Sequence, residues 1–218
     1  MKLRTTGGLL ALAALLAPNA HGQGLGLGTH FGPKAGVTLA VLDGHLNTKG
    51  YFKAGFNAGV IMRIRPSKGF AIQPELLYSQ LGTDGSYSRN SSNPDFALRL
   101  NYLTVPLMFK AYLGSMFYLQ AGPQLGFLLS AHRKGLTSTG GPDADVSSDY
   151  TGVDFSVGSG LGIDLPGGLV LSARASYGFT DINANDAEAK FRQQLGFGGL
   201  HNRSLEFSVG YLLKADKD

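Results

Sequence analysis

From Tyr51 to Arg65 the chain changes character at nearly every residue. Phe52, Ala54, Phe56, Ala58, Val60, Met62 and Ile64 alternate with Lys53, Gly55, Asn57, Gly59, Arg63 and Arg65. A period of two is the signature of an extended strand, whose successive side chains leave opposite faces. The same division returns at Phe117, Leu119, Ala121, Leu125, Phe127 and Leu129, at Val153, Phe155, Val157, Leu161 and Ile163, and at Leu205, Phe207, Val209, Tyr211 and Leu213. The spacing predicts eight strands, over residues 31–42, 51–65, 69–82, 98–113, 116–131, 150–165, 168–182 and 202–214.

The second face decides what kind of sheet this is. In a soluble sandwich or lipocalin the large apolar residues point inward and charges cover the exterior. Here the residues between the apolar positions are glycine, serine and glutamine, such as Gln120, Gly122, Gln124 and Gly126. That composition suits a barrel with its apolar face toward lipid and a polar interior. A tilted strand crosses a bilayer in about 9–11 residues, and each predicted segment is at least that long. With 32 glycines in 218 residues, about twice ordinary usage, and glycine recurring inside the alternating segments, crowded positions in a curved sheet are expected.

Connection lengths alternate as well. Pro66-Ser67-Lys68, Gly114-Ser115 and Pro166-Gly167 make short turns, whereas 43–50, 83–97, 132–149 and 183–201 make long polar loops. Outer-membrane barrels place short turns in the periplasm and long loops outside. The expected fold is therefore all-β, an eight-stranded antiparallel transmembrane β-barrel with short periplasmic turns, long outer loops and both termini in the periplasm.

Residues 1–22 combine a basic start (Lys2, Arg4), an apolar run from Leu9 to Leu16 and the sequence Ala20-His21-Gly22, the pattern of a secretory signal peptide. The barrel domain then occupies 23–218, beginning near Gln23. Without cysteine, an exported chain has neither disulfides nor a lipid-attachment thiol, which excludes a disulfide scaffold and a lipoprotein. Removing Lys2 and Arg4 from the formal charge of +4 leaves +2, spread along the chain, and gives no footprint for nucleic acid.

Gly32-Pro33-Lys34-Ala35-Gly36, Gln73-Pro74-Glu75-Leu76-Leu77-Tyr78-Ser79, Asn101-Tyr102-Leu103-Thr104-Val105-Pro106-Leu107 and Tyr118-Leu119-Gln120-Ala121-Gly122-Pro123-Gln124 each resemble signatures of the PorT-like outer-membrane β-barrel family. With Phe207-Ser208-Val209-Gly210-Tyr211 they span nearly the whole mature chain. The resemblance implies an eight-stranded outer-membrane barrel, and a secretion-linked role for the family's namesake. Thr104 stands where that family's pattern has Glu, and Tyr211 takes the place of a terminal aromatic residue ahead of Lys214-Ala215-Asp216-Lys217-Asp218.

Continued alternation points Lys34, Glu75, Lys110, Asp154, Asp164, Arg174 and Glu206 inward. Glu75 with Lys110, and Arg174 with Glu206, fall on neighbouring strands where cross-strand pairs can form. Such a set could be an ion path, an acid–base site or a charge network that fills the barrel. An eight-stranded interior is only just wide enough for its own side chains, which favours the network. Ser130 and His132 share a face at a strand end, the minimal start of a hydrolytic rim site. His30, His45, His132 and His201 are scattered at loops and strand ends without metal-ligand spacing, so no metal, cofactor or catalytic residue is expected. Tyr51, Tyr78, Tyr102, Tyr112, Tyr177 and Tyr211 are candidates for interfacial girdles, and Asn90-Ser91-Ser92 matches a glycosylation acceptor.

The expected function is a structural or interaction barrel of the outer membrane, surrounded by lipid and accessory to an envelope or secretion assembly, with no enzymatic activity. A small pore or solute-binding barrel is the main alternative. A lipid-modifying enzyme at the rim and a periplasmic lipocalin-like carrier rank behind it.

Overall fold

The computed structural model describes residues 28–44, 49–87, 93–184, 194 and 199–214. The leader, His45, Asn90-Ser91-Ser92 and the final four residues lie outside them. Eight long strands follow in order: β1 (Gly28–Asp43), β2 (Lys53–Ser67), β3 (Phe70–Ser86), β4 (Phe96–Leu113), β5 (Phe117–Gly135), β6 (Val153–Asp164), β7 (Leu169–Gly178) and β8 (His201–Tyr211). Each pairs antiparallel with the next, and β8 returns to β1 over ten register positions, from Lys34 opposite Gly210 to Asp43 opposite His201. Closure leaves no free edge along this ring.

The face prediction holds along the middle of the strands. Phe56, Val60, Leu119, Leu161 and Val209 are exposed, while Asn57, Ile61, Gln120, Gln124 and Ser208 are buried. Exposed apolar side chains ring the outer wall, an arrangement that lipid covers and water would not. Several glycines are required by close strand approach. A Cβ on Gly59, Gly122 or Gly160 would come within 2.0, 2.0 and 2.1 Å of a carbonyl oxygen on the neighbouring strand.

Differences from the predicted boundaries lie at the strand ends. The first short turn is Lys68-Gly69, because β2 keeps its extended backbone through Ser67. β3 runs on to Ser86, where Asp84, Gly85 and Ser86 pair with a short strand, Lys49–Tyr51, at the end of the first predicted loop and the start of the second predicted strand. β5 likewise extends to Gly135 and pairs at Arg133 and His132 with Ala144–Asp145. β7 stops at Gly178, four residues early, and β8 stops at Tyr211 before a separate short strand, Leu213–Lys214, that pairs with the start of β1.

Two backbone irregularities lie toward the outer ends of the strands, and the second resets side-chain direction. At Gly82 the backbone takes φ +127°, a conformation that L side chains rarely adopt. Between β4 and β5 the register shifts from Tyr102 opposite Leu128 to Asn101 opposite Ser130, so Leu129 is an extra residue in a β-bulge. Beyond it Ala131 turns fully inward.

Candidate functional site

The inward faces converge on a polar layer between two apolar ones. Glu75 on β3 is its centre, its side chain fully buried. One carboxylate oxygen accepts from Lys34 Nζ at 2.9 Å, and the other accepts from Arg174 Nη2 at 2.8 Å and Gln73 Nε2 at 2.7 Å. Arg174 also donates to Gln124 at 3.2 Å and lies 3.9 Å from Glu206, its register partner on β8.

Nearer the short turns, Arg63 donates to Gln73 at 2.8 and 3.0 Å and forms an ion pair with Asp164. Asp164 also accepts from Tyr112 Oη at 2.8 Å. Toward the long loops, Asp154 accepts from Asn202 Nδ2 at 2.8 Å.

All seven inward candidates therefore line the lumen, but not all of them meet. Lys110 does not reach Glu75: its register partner on β3 is Ala71, four positions away. Its ammonium instead lies 3.8 Å from the centroid of the Tyr118 ring, a cation–π arrangement. The Glu75–Arg174 pair crosses the lumen from β3 to β7. Arg63, Gln73, Gln124 and Tyr112 were not among the seven inward candidates. For Arg63 and Gln124 the available signal was their place on the polar side of the alternation.

Tyr102 and Tyr112 are corrections to the girdle assignment. Both are buried in the lumen, whereas Tyr177 and Tyr211 stand exposed on the outer wall. In β4 the inward positions are the even-numbered ones, so these two rings follow Met108 and Lys110 inside.

Apolar side chains close both ends of the layer. At the periplasmic end Ile61, Ala71, Tyr112, Tyr118, Val170 and Leu212 pack together. Below them opens a vestibule of about 550 Å³, lined in part by His30, Arg63, Arg65 and Asp164. At the outer end Leu42, Phe96, Leu98, Leu100, Tyr102, Ala131, Ile182 and Leu200 pack, with Val146 and Tyr150 brought in from the loop after β5. Between the two clusters a polar cavity of only about 30 Å³ remains, the size of a water or two.

Ser130 and His132 both lie on the outer side past the bulge. The Ser130 hydroxyl accepts from Asn101 Nδ2 at 2.9 Å, and Asn101 accepts from Gln80 at 3.2 Å. His132 stands opposite Arg99 on β4 and Asp145 on the loop strand. Among the described residues no bond joins Ser130 to His132, and no group of three or more His, Cys, Asp or Glu side chains is placed to hold a metal ion.

The outer loops are tied to this scaffold. Asp95 accepts from Ser86 Oγ at 2.7 Å, from the Tyr87 amide at 3.1 Å and from Thr137 Oγ1 at 3.1 Å. The Ser86 bond, with help from the other two, holds its carboxyl below the ordinary Asp range. Asp181 accepts from the amides of Leu200 and Asn183, which anchors the stretch that carries Ile182 over the mouth.

A closed ring of eight antiparallel strands, apolar outside and polar within, defines a transmembrane barrel of the outer membrane. The profile of the outer membrane protein beta-barrel domain family matches residues 19–184, and the chain belongs to that family. None of the curated proteins matches the sequence. Among solved structures, the Neisserial surface protein A shares 14% identity at a TM-score of 0.53, with 83% of this chain and 96% of that one aligned. Ail of Yersinia pestis aligns at 12% identity over 85% and 99% of the two chains, with a TM-score of 0.49. OprG of Pseudomonas aeruginosa aligns at 11% over 86% and 97%, with a TM-score of 0.44. At these identities the likeness is one of fold.

Proposed function

We propose that this chain is a PorT-like barrel that works through its rims, as a structural or interaction component accessory to an envelope or secretion assembly, and that it is neither a channel nor an enzyme. The observation that carries the reading is the sealed lumen: a charge network crosses the interior and apolar side chains close it at each end. Binding surfaces are most often loops held on a rigid scaffold, and here the outer loops are pinned through Asp95 and Asp181. On the same reading residues 1–22 are a leader removed on export, and intact mass of the outer-membrane form should correspond to a start near Gln23.

The test is a cross-linking pull-down of a tagged copy from purified outer membranes, with an unrelated eight-stranded barrel as control. Reproducible enrichment of envelope or secretion proteins, lost when the loop after β5 is replaced, is the expected result. Recovery of nothing beyond the control would overturn the assembly role.

A further inference from the structure

The inward charges leave one carboxylate without a cation. Glu75 is answered by Lys34 and Arg174, Asp164 by Arg63, and Glu206 by Arg174. Asp154 is 4% exposed, and among the described residues no Lys, Arg or His lies within ion-pair distance of it. Its Oδ2 accepts from Asn202, while its Oδ1 has no partner. Asn202 Oδ1 and Glu206 Oε2 also lack a hydrogen-bond donor, although both side chains are more than nine-tenths buried. All three residues line the cavity of about 30 Å³, together with Thr104, Ser176 and Ser204.

An isolated buried carboxylate is costly, and so is an orphaned buried amide oxygen. Three residues with unpartnered acceptor oxygens lining one small space, among hydroxyl side chains that can turn their lone pairs inward, have the donor chemistry that hard cations take. We propose that this cavity is a lumenal binding site for a monovalent hard cation of sodium size, held by Asp154, Asn202 and Glu206 with support from the surrounding hydroxyls. Charge selects the monovalent ion: Glu206 already faces Arg174, so only the Asp154 charge is unanswered. A divalent ion would leave an excess positive charge beside that guanidinium. The absence of histidine and cysteine from the lining disfavours a transition metal. The ion would join β6 to β8 on the outer-loop side of the Glu75 network.

The site is tested on the full barrel refolded in detergent micelles, in sodium chloride or in N-methylglucamine chloride at equal ionic strength, with heat-modified gel mobility as the readout of unfolding. The unfolding midpoint should be higher in sodium and rise with its concentration, as for any ligand that binds only the folded state. Asp154→Asn should abolish the sodium dependence, with affinity at least about tenfold weaker from the lost charge alone. Ser204→Ala, which keeps the charge, should weaken sodium binding several-fold and guards against a fold defect in the first variant. Equal midpoints of the unaltered protein in the two salts would overturn the site and leave a protonated carboxyl beside water. A response to calcium without one to sodium would overturn the monovalent assignment.

Discussion

Glu75 is the residue on which the lumenal network converges, so its replacement is the sharpest probe of the packing argument. Glu75→Leu would remove a carboxylate whose side chain is fully buried and that receives three hydrogen bonds, from Lys34, Arg174 and Gln73. Arg174 would keep Gln124 and the more distant Glu206, but Lys34 would have no remaining ion-pair partner among the described residues. Removing one member of a buried ion pair costs about 3–5 kcal/mol. With a typical folded protein stable by about 5–15 kcal/mol, that is a large share of the total. Urea titration of the refolded barrel in lipid vesicles, read by the gel shift between folded and unfolded forms, would measure the loss. Adding Lys34→Met to Glu75→Leu should restore part of it, with a coupling of about 1–3 kcal/mol. If Glu75→Leu costs less than about 1 kcal/mol, or the two single effects simply add, the network is not the buried structural element described here.

Other outcomes follow from the same geometry. Leu125→Arg, on the outer wall and 42% exposed, should cost about 2–4 kcal/mol in vesicles as a charge on the lipid face near the midplane, and vesicle-folding titrations would show whether that wall meets lipid. Gly82→Ala places a Cβ 2.0 Å from the Leu98 carbonyl oxygen at a φ of +127°; it should lower the urea midpoint with a loss of at least about 1–3 kcal/mol from backbone strain. Because the Asp95 carboxyl is held low by Ser86, Tyr87 and Thr137, its anchoring of the loop is present above the ordinary Asp pKa and lost as pH falls through the folded value. Carboxyl NMR of Asp95 should therefore titrate below the ordinary Asp range, and Ser86→Ala should move it back up.

The strand interiors were legible because both faces carry a signal. In β2 the outward Phe56 and Val60 and the inward Asn57 and Arg63 could be assigned by parity alone. The ends were not, for a physical reason: the extension of β3 fills its buried places with small polar side chains, Thr83 and Ser86, against the apolar cluster on β4, so no apolar alternation marks it. Parity also fails wherever the backbone inserts a residue. The bulge at Leu129 leaves Ser130 and His132 outward and turns Ala131 inward, and no turn residue in Leu128-Leu129-Ser130 announces it. The inward charges were readable one by one, but their partners were not. A neighbour rule pairs β3 with β4, whereas Glu75 and Arg174 meet across the barrel interior, ninety-nine residues apart, at a height set by the register of every strand between them.

The central claim is a lumen filled by its own side chains and closed at both ends. Planar-bilayer recording of the refolded protein tests it most directly. The account predicts a silent membrane, without discrete current steps at any applied voltage that the bilayer survives. Reproducible unitary steps, altered by substitutions at Glu75 or Arg174, would contradict it and make the charged layer a conduction path.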